Sequence, residues 1–458
     1  MKCLATPRTL TVACLVAMAS IAQADPIYHP PGPNLTYGAV SNGQTIMSDI
    51  TNPAAGAAAL KKDGNQYRFG ILSSIGVGVE FGKVDNLYDR IDAEAQAFQS
   101  LQSIGSFATP AEAVAEIDAR LASLNSLLAD VETNGYGKAF GSAHLPVMPL
   151  VITHQGLGGS LVLDVNGSVA ARVTAYNDPV NFNSTAALSG TDDPTDDINL
   201  AMSGGIPSDF QINSNNDSTV LVKAARVAEM TLGYSRPFLE TEEATLYGGL
   251  RARYYKVETS RDTEKLGNLV DGTQNAFDNA FDQNLSSDSG FGIDAGVLWV
   301  SQHYRLGATL TNINEPKFDF TPIDLTGYDT SSPVYQKLSA NNSYTMDSQL
   351  QLEGALYTAN QNWVISAGYD VNAVKDVFGD EYQWATVSAA YATDTWFLPG
   401  IRAGLRKNMA GTEINYLSLG ATFSVVNVDL AWSPDKIDID GDTVPRGAML
   451  NLGLELTF

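Results

Sequence analysis

Apolar and polar residues alternate with a period of two along most of this chain. Between Tyr67 and Phe81, and again between Leu161 and Ala175, one parity carries most of the large apolar side chains and the other carries mainly Gly, Ser or charged residues. Such alternation is typical of strands with one apolar and one polar face. About fourteen such segments begin near residues 67, 146, 160, 223, 244, 290, 303, 345, 362, 383, 399, 414, 427 and 447. The chain is therefore predicted to be all-β.

The connections between these segments alternate between long and short ones, with a single exception near residue 410. The long connections cover about 83–145, 177–222, 260–289, 313–344, 372–382 and 435–446, and the short ones lie near 155–159, 237–243, 301–302, 358–361, 394–398 and 426. Outer-membrane barrels combine short periplasmic turns with long outer loops. The order predicts a transmembrane antiparallel β-barrel over residues 67–458, in preference to a secreted β-sandwich or propeller.

The first long connection has a different period. From Leu87 to Val131, apolar residues recur at helical spacing, with a break at Ala108-Thr109-Pro110. This predicts a helical insertion at about 86–132, made of two helices, in the first outer loop. Its apolar stripe has to be covered, either by the rim of the barrel or by a partner protein.

The N-terminus indicates export. Lys2 and Arg8 precede an apolar run that ends in Ala22-Gln23-Ala24, which predicts a signal peptide over residues 1–24. Residues 25–66 then form a Pro-, Gly- and Ala-rich segment without strong periodicity. This segment is predicted to be a plug or hatch in the lumen of the barrel, and the alternative is a disordered leader.

Cysteine content and charge exclude several classes of protein. Both cysteines, Cys3 and Cys14, lie in the predicted leader, so the mature chain would have no disulfide, thiolate metal site or Cys nucleophile. Without Lys2 and Arg8 it would keep 25 of its 27 basic residues against 51 acidic ones. This acidic excess argues against binding nucleic acid through a basic surface.

Charged residues on the polar faces of the strands are candidates for lining the lumen, because an arginine that faces lipid costs about 2–4 kcal/mol at the midplane. They either line a path for a solute or hold the plug in place through salt bridges. The candidates are Arg251, Arg253, Arg305, Glu353, Asp370, Arg402 and Arg406, together with Arg68, Glu80 and Arg172.

The last residues of the chain form a second sorting signal, in addition to the predicted signal peptide. Leu450, Leu452, Leu454, Leu456 and Phe458 share one parity, and Asn451, Gly453, Glu455 and Thr457 share the other. An amphipathic final strand that ends on an aromatic residue resembles the C-terminal assembly signal of bacterial outer-membrane barrels. The signal residues are Asn451, Gly453, Leu456 and Phe458.

All five tryptophans lie in or beside predicted strand ends, where interfacial girdles place aromatic residues. They are Trp299, Trp363, Trp384, Trp396 and Trp432. Ordinary core packing is the alternative for each of them.

The sequence offers little catalytic chemistry. It contains no P-loop, H-E-x-x-H, G-x-S-x-G or dinucleotide fingerprint, and no enzymatic activity is predicted. Asp438, Asp440 and Asp442 resemble part of a calcium loop, since carboxylates at alternating positions beside a Gly suit a hard cation. Solvated loop carboxylates explain the same pattern, and no cofactor is predicted beyond loosely bound calcium.

Two short motifs before the first strand resemble the hatch of the FadL-type superfamily of outer-membrane transporters. They are Gly38-Ala39-Val40-Ser41-Asn42-Gly43 and Asn52-Pro53-Ala54-Ala55. The helical insertion and the Leu150 to Ala175 region more closely resemble the conjugal-transfer TraF-like branch of exported barrel proteins. A thioredoxin-like protein of plasmid transfer shares that name, and the lack of mature cysteines separates this chain from it. The resemblance implies a plug motif at Asn52, Pro53 and Ala54.

Two functional hypotheses follow. The first, implied by the resemblance, is a FadL-like barrel that passes small hydrophobic or amphipathic molecules when its plug rearranges. The alternative is a non-transporting surface or assembly protein of a conjugal transfer system, whose helical insertion and acidic loops contact a partner. Either protein is expected in the outer membrane, with its lipid and lipopolysaccharide and the barrel assembly machinery as partners. The substrate and the oligomeric state stay open.

Overall fold

The wall of the molecule is a closed antiparallel β-barrel with 14 strand positions. The computed structural model describes residues 29, 31–38, 45–58, 66–86, 90, 93, 109–188, 197–203, 206–212, 216–265, 285–340, 342–391, 400–439 and 441–457. The barrel strands are β1 (Gln66–Phe81), β2 (Tyr136–His144), β3 (Leu150–His154), β4 (Gly159–Tyr176), β7 (Thr219–Glu240), β8 (Ala244–Lys265), β9 (Ser286–Ser301), β10 (Tyr304–Thr311), β13 (Gln349–Tyr357), β14 (Trp363–Asp370), β17 (Trp384–Tyr391), β18 (Gly400–Asn408), β19 (Asn415–Phe423), β20 (Val426–Trp432) and β23 (Gly447–Thr457). The loops at one end carry four hairpins, namely β5 (Ile198–Ser203) with β6 (Ile206–Ile212), β11 (Lys317–Asp319) with β12 (Ser343–Thr345), β15 (Val374–Lys375) with β16 (Glu381–Tyr382), and β21 (Lys436–Ile439) with β22 (Asp442–Pro445). The predicted fold class is confirmed.

Helices are few in the described part of the chain. They are α1 (Asn34–Tyr37), α2 (Met47–Thr51), α3 (Ala55–Ala58), α4 (Pro110–Asn134), α5 (Ser184–Leu188) and α6 (Pro333–Ala340), with a short 3-10 turn at Gln155–Leu157. Within these described ranges, no helix combines the length and the apolar character needed to cross a membrane.

The barrel closes between its first and last strands. β1 pairs with β23 from Arg68 opposite Thr457 to Glu80 opposite Gly447, with irregularities between Gly70 and Ile75. The start of β1 and the end of β23 therefore lie at the same rim. With an even number of strand positions, this is the rim of the short turns, which we call the inner rim, and the long loops leave the opposite, outer rim.

Two strands share the second position of the wall. β2 and β3 both pair with β1 on one side and β4 on the other, and residues 145–149 interrupt them. Hydrogen bonds cross the interruption, including Gly70 N–H to the Pro149 carbonyl at 3.2 Å. The sequence predicts only the Pro146 to His154 part of this position. It misses β2 because the outward side chains there are Gly and Ala, so no apolar stripe marks the strand.

The outer surface of the wall is apolar and the inner surface is polar. Leu250 and Phe291 are each 64% exposed, whereas the next residue on the lumen side, Arg251, is 3% exposed. Similar outward residues occur around the wall: Leu232, Ile293, Leu306, Leu352, Leu356, Ile365, Val387, Ile401, Leu405, Leu419 and Leu452. A closed barrel with an apolar belt leaves no unpaired strand edge in lipid, which is the requirement for spanning a membrane with strands.

The wall is taller on one side, because β7 and β8 have 22 residues each and β20 has 7. Helix α4 lies beside the tall side and contacts β4 and β6. It begins at Pro110, where Thr109 accepts the Glu112 N–H at 3.3 Å, so its start coincides with the predicted break. Ile117 and Leu121 are buried against Val180 in the loop after β4. The apolar stripe of α4 is thus covered by the chain itself; the predicted first helix falls largely outside the described residues.

Candidate functional site

The described N-terminal segment lies inside the barrel and reaches both walls. Helix α1 contacts β17, β18, β19 and β20, whereas α3 contacts β3, β4, β7, β8 and β9 on the opposite side. Nearly all of residues 31–38 and 45–58 are buried. We call these two stretches the plug.

The Asn-Pro-Ala motif is a contact point between the plug and the wall. Asn52 is fully buried, donates to Glu353 Oε1 at 2.6 Å and to the Val297 carbonyl at 3.2 Å, and accepts the Ala54 N–H at 2.9 Å. Two wall glycines leave room for it. A Cβ on Gly249 would lie 2.1 Å from the Pro53 carbonyl oxygen, and one on Gly296 would lie 2.2 Å from Asn52 Oδ1.

Most of the other polar contacts of the plug are made to charged wall side chains. Thr36 donates to Asp429 at 2.7 Å, and the Thr45 hydroxyl and Ile46 N–H both donate to Glu455, at 2.9 and 3.1 Å. Asp49 pairs with Arg68, and Arg251 donates to the Ile50 carbonyl. Ala57 N–H donates to the wall hydroxyl of Ser235 at 2.9 Å. The plug is therefore attached by separate hydrogen bonds and ion pairs, together with several small apolar clusters that it shares with the wall.

An ionic cluster occupies the wall beside the plug. Asp294 is fully buried and receives Arg251 Nε at 2.7 Å and Arg253 Nε at 2.8 Å. His29 lies 3.2 Å from Glu229 through Nδ1 and 3.0 Å from Arg253 through Nε2. In this cluster each guanidinium is matched by a carboxylate, as a low-dielectric lumen requires.

A chamber lies between the plug and the outer half of the lumen. Its empty volume is about 1110 Å³, which includes space open to solvent. The plug supplies one side, through residues such as Asn34, Met47 and Ile50, and strands from β4 round to β18 supply the rest. The lining includes one histidine (His29), three arginines (Arg251, Arg253, Arg406), three carboxylates (Asp164, Glu229, Asp370) and one tyrosine (Tyr255). Polar groups of both charge signs thus dominate the chamber.

The outer half of the lumen is filled by an aromatic layer. Phe140, Tyr255, Phe318, Tyr344, Phe378, Tyr382, Trp384 and Tyr416 are all buried in one apolar cluster. Several come from the outer loops and fold inward. Trp384 is 5% exposed and belongs to this layer, so its interpretation as an interfacial girdle residue is wrong. Its parity is the reason, because Val387 on the opposite face of β17 is the lipid-side residue, 54% exposed.

The loop between β14 and β17, residues 371–383, seals this layer, and we call it the latch loop. Its Val377 and Phe378 are buried in the lumen. Lys138 pairs with Asp376 at 2.8 Å and with Asp380, Arg172 pairs with Asp380 at 3.0 Å, and Lys223 donates to the Phe378 carbonyl at 2.7 Å. Burial alone would raise the pKa of Asp380, but Lys138 and Arg172 outweigh it and hold that pKa below its usual range. Three wall cations therefore hold an apolar loop tip inside the barrel.

The structure divides the lumen candidates among three places. Arg251, Arg253, Asp370 and Arg406 line the chamber. Glu353 receives the plug motif, and Arg402 pairs at 2.5 Å with Asp429, which receives Thr36. Arg305 is half-buried beside Tyr357, with the guanidinium carbon 5.8 Å from the ring centre.

Sequence reasoning did not single out the acidic partners of these cations: Glu229, Asp294 and Asp429. Asp294 lies on the polar face of β9, so the same alternation could have identified it as a lumen residue. Lys138 could not be identified as a lumen residue, because its strand, β2, was not predicted.

The C-terminal signal residues lie on the closing strand. Asn451 is buried and contacts Ser74, Gly453 lies against the Ser73 backbone, and Leu456 pairs with Phe69. Phe458 is outside the described residues. The neighbouring Glu455 is the plug contact described above.

The calcium candidates lie on the outer hairpin of β21 and β22. Asp438 accepts the Thr443 hydroxyl at 2.5 Å, Asp442 is exposed opposite Ile439, and Asp440 lies outside the described residues. Among the residues that the structure covers, no group of three or more His, Cys, Asp or Glu side chains is arranged to hold a metal ion.

The fold and the lumen define the class as a plugged β-barrel of the outer-membrane type. The chain belongs to the family described as "F plasmid transfer operon, TraF, protein", whose sequence model matches residues 49–370. A comparison with curated proteins found no match.

Solved structures of transport proteins overlap with most of the chain. The Pseudomonas putida toluene transporter TodX has 11% identity and a TM-score of 0.37, covering 96% of this chain and 99% of its own. A deltaS2 mutant of the TodX monoaromatic hydrocarbon channel has 10% identity and a TM-score of 0.38, covering 93% and 97%. A Pseudomonas aeruginosa FadL homologue has 10% identity and a TM-score of 0.24, covering 96% and 99%.

Proposed function

We propose that this protein lets small hydrophobic or amphipathic molecules cross the outer membrane when its plug rearranges. The observation that carries the proposal is the plug itself. It occupies the lumen and is attached to the wall at separate points. The polar contacts are made to Asp429, Glu455, Glu353 and Ser235, and small apolar clusters join the plug to wall residues such as Val151, Leu298 and Val364. A hydrogen bond to a charged group contributes about 1.5–3 kcal/mol, so each contact alone is weak compared with the whole barrel. A plug held in this way can shift without unfolding the barrel.

The location and the assembly partners form part of the proposal. The apolar belt is the surface that outer-membrane lipid covers, and lipopolysaccharide would contact the outer loops. Export through the leader over residues 1–24 and closure by the barrel assembly machinery are expected from the two ends of the sequence. The proposal assigns no enzymatic activity.

A reversible lock on the plug tests this function. A Cβ on Gly56 would lie 3.3 Å from Ser235 Oγ, so Gly56→Cys with Ser235→Cys brings two thiols close together. The only native cysteines, Cys3 and Cys14, lie in the predicted leader. In proteoliposomes, solute uptake should stop when the pair is oxidised and return on reduction, whereas each single-cysteine variant should respond to neither treatment.

Deletion of residues 25–65 removes the plug, so this variant gives the highest uptake expected in the same assay. It should admit solutes faster than the wild type does. The transport proposal is lost if neither the wild type nor the deletion variant shows uptake or conductance in liposomes and planar bilayers.

A role in plasmid transfer is the second candidate, and it rests on the family description alone. In that case the outer loops would contact a partner. The apolar stripe of α4 is already covered by Val180, so the contact would use its exposed polar face, which includes Asp118. Mating frequency with a chain lacking residues 87–134, compared with the wild type, tests it; an unchanged frequency would remove this candidate.

A further inference from the structure

We propose that the latch loop carries a binding site for a primary ammonium group, and that Lys138 of the wall is the built-in occupant of this site. An amine that takes the place of Lys138 then opens the outer closure. This role goes beyond the proposed passage of solutes, because it concerns the signal that opens the outer half of the lumen. The site is formed by Asp376, Asp380 and Tyr382, which all belong to residues 371–383.

The ammonium of Lys138 is surrounded by oxygen atoms of the latch loop. Its Nζ donates to Asp376 Oδ2 at 2.8 Å and to the Tyr382 hydroxyl at 2.7 Å, and it forms an ion pair with Asp380. An ammonium group has three N–H donors and no acceptor. Two carboxylates and one hydroxyl of the loop therefore supply one acceptor group for each of the three donors.

Aromatic rings of the same loop complete the site. The Lys138 Nζ lies 5.0 Å from the centre of the Tyr382 ring and 5.7 Å from that of the Phe378 ring, both within the range of a cation–π interaction. The side chains of Lys138 and Asp376 are both 0% exposed. Carboxylates and aromatic rings that are shielded from water are the groups that recognise an alkylammonium ion.

The loop holds these groups in place through its own contacts. Asp376 Oδ1 accepts the N–H of Phe378 at 2.8 Å and that of Asp380 at 2.9 Å, while its Oδ2 faces the ammonium. The Asp376 N–H donates to the Asp380 carbonyl at 2.9 Å, and β15 pairs with β16 through Val374 and Tyr382. The wall contributes the ammonium, whereas the loop contributes the site. The site therefore moves with the loop when the loop leaves the lumen, and another ammonium can then occupy it.

A second ammonium cannot share the closed site with Lys138. The site is fully buried, and three wall cations, Lys138, Arg172 and Lys223, already contact the loop. Glu80, the neighbour of Lys138 on β1, already accepts two tyrosine hydroxyls. A fourth cation in this low-dielectric space is strongly unfavourable. Binding of an amine to the loop and closure of the loop over Lys138 therefore exclude each other.

One amine should consequently act in opposite directions on two forms of the protein. Propylammonium has the atoms of the lysine side chain beyond Cβ, so it fits the space that Lys138→Ala leaves. In the wild type it should open the latch, because it competes with Lys138. In Lys138→Ala it should close the latch, because it replaces the lost ammonium. A general effect of the amine on the membrane or on the protease would have the same sign in both proteins.

Limited proteolysis of the full chain in nanodiscs measures the latch through the rate of cleavage within residues 371–383. Propylammonium chloride is added at neutral pH, and sodium chloride at the same concentration controls for ionic strength. The tethered lysine has an effective concentration in the millimolar range, so the amine is titrated from about 1 mM upward. Cleavage should rise at least about tenfold in the wild type and fall at least about tenfold in Lys138→Ala.

Three probes and two further variants identify what the site recognises. 1-Propanol keeps the shape without the charge, propionate reverses the charge, and tetramethylammonium keeps the charge without an N–H donor. None of the three should change cleavage in either protein. Adding Asp376→Asn to Lys138→Ala should weaken the effect of propylammonium at least about tenfold. Lys375→Ala, which changes an exposed lysine of the same loop, is the matched control and should respond as the wild type does.

The outcomes are distinct from those of the transport assay, because neither arm requires a solute to cross. A change of the same sign in both proteins, or an equal effect of 1-propanol, overturns the inference. A Lys138→Ala variant that resists cleavage without amine also overturns it, because other contacts then close the latch. Heat-modifiable mobility in detergent gels establishes that each variant is folded. If Lys138→Ala fails to fold, the wild-type titration against the three probes still decides.

Discussion

The two halves of the lumen are closed in different ways. The inner half holds a plug attached by dispersed hydrogen bonds, ion pairs and small separate apolar clusters, whereas the outer half is closed by one large aromatic layer with a latch loop above it. Apolar burial is cooperative over the whole layer, because removing one part exposes the rest to water. Polar contacts break one by one. The comparison indicates that the plug can move in steps and that the outer closure opens as a unit.

Removing the central cation of the latch should have the largest effect. In Lys138→Ala, Asp376 and Asp380 lose a fully buried partner, which costs about 3–5 kcal/mol for a broken buried pair. We expect the latch loop to leave the lumen, so limited proteolysis should cut within residues 371–383. Lys375→Ala, which removes an exposed partner 3.8 Å from Glu381, is the control and should stay resistant. A resistant Lys138→Ala would show that the aromatic layer alone holds the loop.

A methyl group added to the wall beneath the plug motif tests how firmly the plug is held in the inner half of the lumen. In Gly249→Ala the new Cβ meets the Pro53 carbonyl oxygen, a backbone atom, at 2.1 Å, so the plug has to shift. Overpacking of this kind costs about 1–3 kcal/mol. Amide exchange of residues 45–58 should accelerate while the latch loop keeps its protection. Gly137→Ala, whose Cβ would meet nothing within 4 Å, is the matched control.

Loss of a single plug contact should have a smaller and local effect. Asn52→Ala removes the hydrogen bond to Glu353 and leaves that carboxylate with one donor fewer, at about 1–3 kcal/mol. Exchange should increase around the motif and remain slow at Thr36, which is held separately by Asp429. Equal acceleration of both sites would contradict stepwise release. Asn360→Ala, in the exposed turn after β13, serves as the control.

Acid should loosen the latch before it loosens the aromatic layer. The pKa of Asp380 is lowered in the folded state, so its contribution to stability is present above the ordinary aspartate range and is lost as the pH falls through the depressed value. Proteolysis of residues 371–383 with an acid-active protease should rise in that window. Lys138→Ala should show a flatter pH profile, since the cation that holds the pKa down is missing; an unchanged profile would contradict this origin.

Alternation predicted the barrel because lipid and lumen impose opposite requirements on successive residues. The same rule failed at β2, where small outward residues remove the contrast, and it did not decide where Trp384 points, since tryptophan suits both an interface and a lumen. Asp294 and Asp429 lie on the polar faces of their strands, as alternation predicts. Their ion pairs with arginines could not be predicted, because these depend on which strands become neighbours. Which side chains line the chamber together depends on the register between strands, which alternation does not provide.

Glu455 links closure of the wall to docking of the plug. It belongs to the last strand, and it receives both Thr45 and Ile46 of the plug. Its position is set only after β23 has paired with β1 and β20. Pairing of β23 therefore also completes the docking point for Thr45 and Ile46, so a plug docked at Glu455 reports that the wall around it is closed.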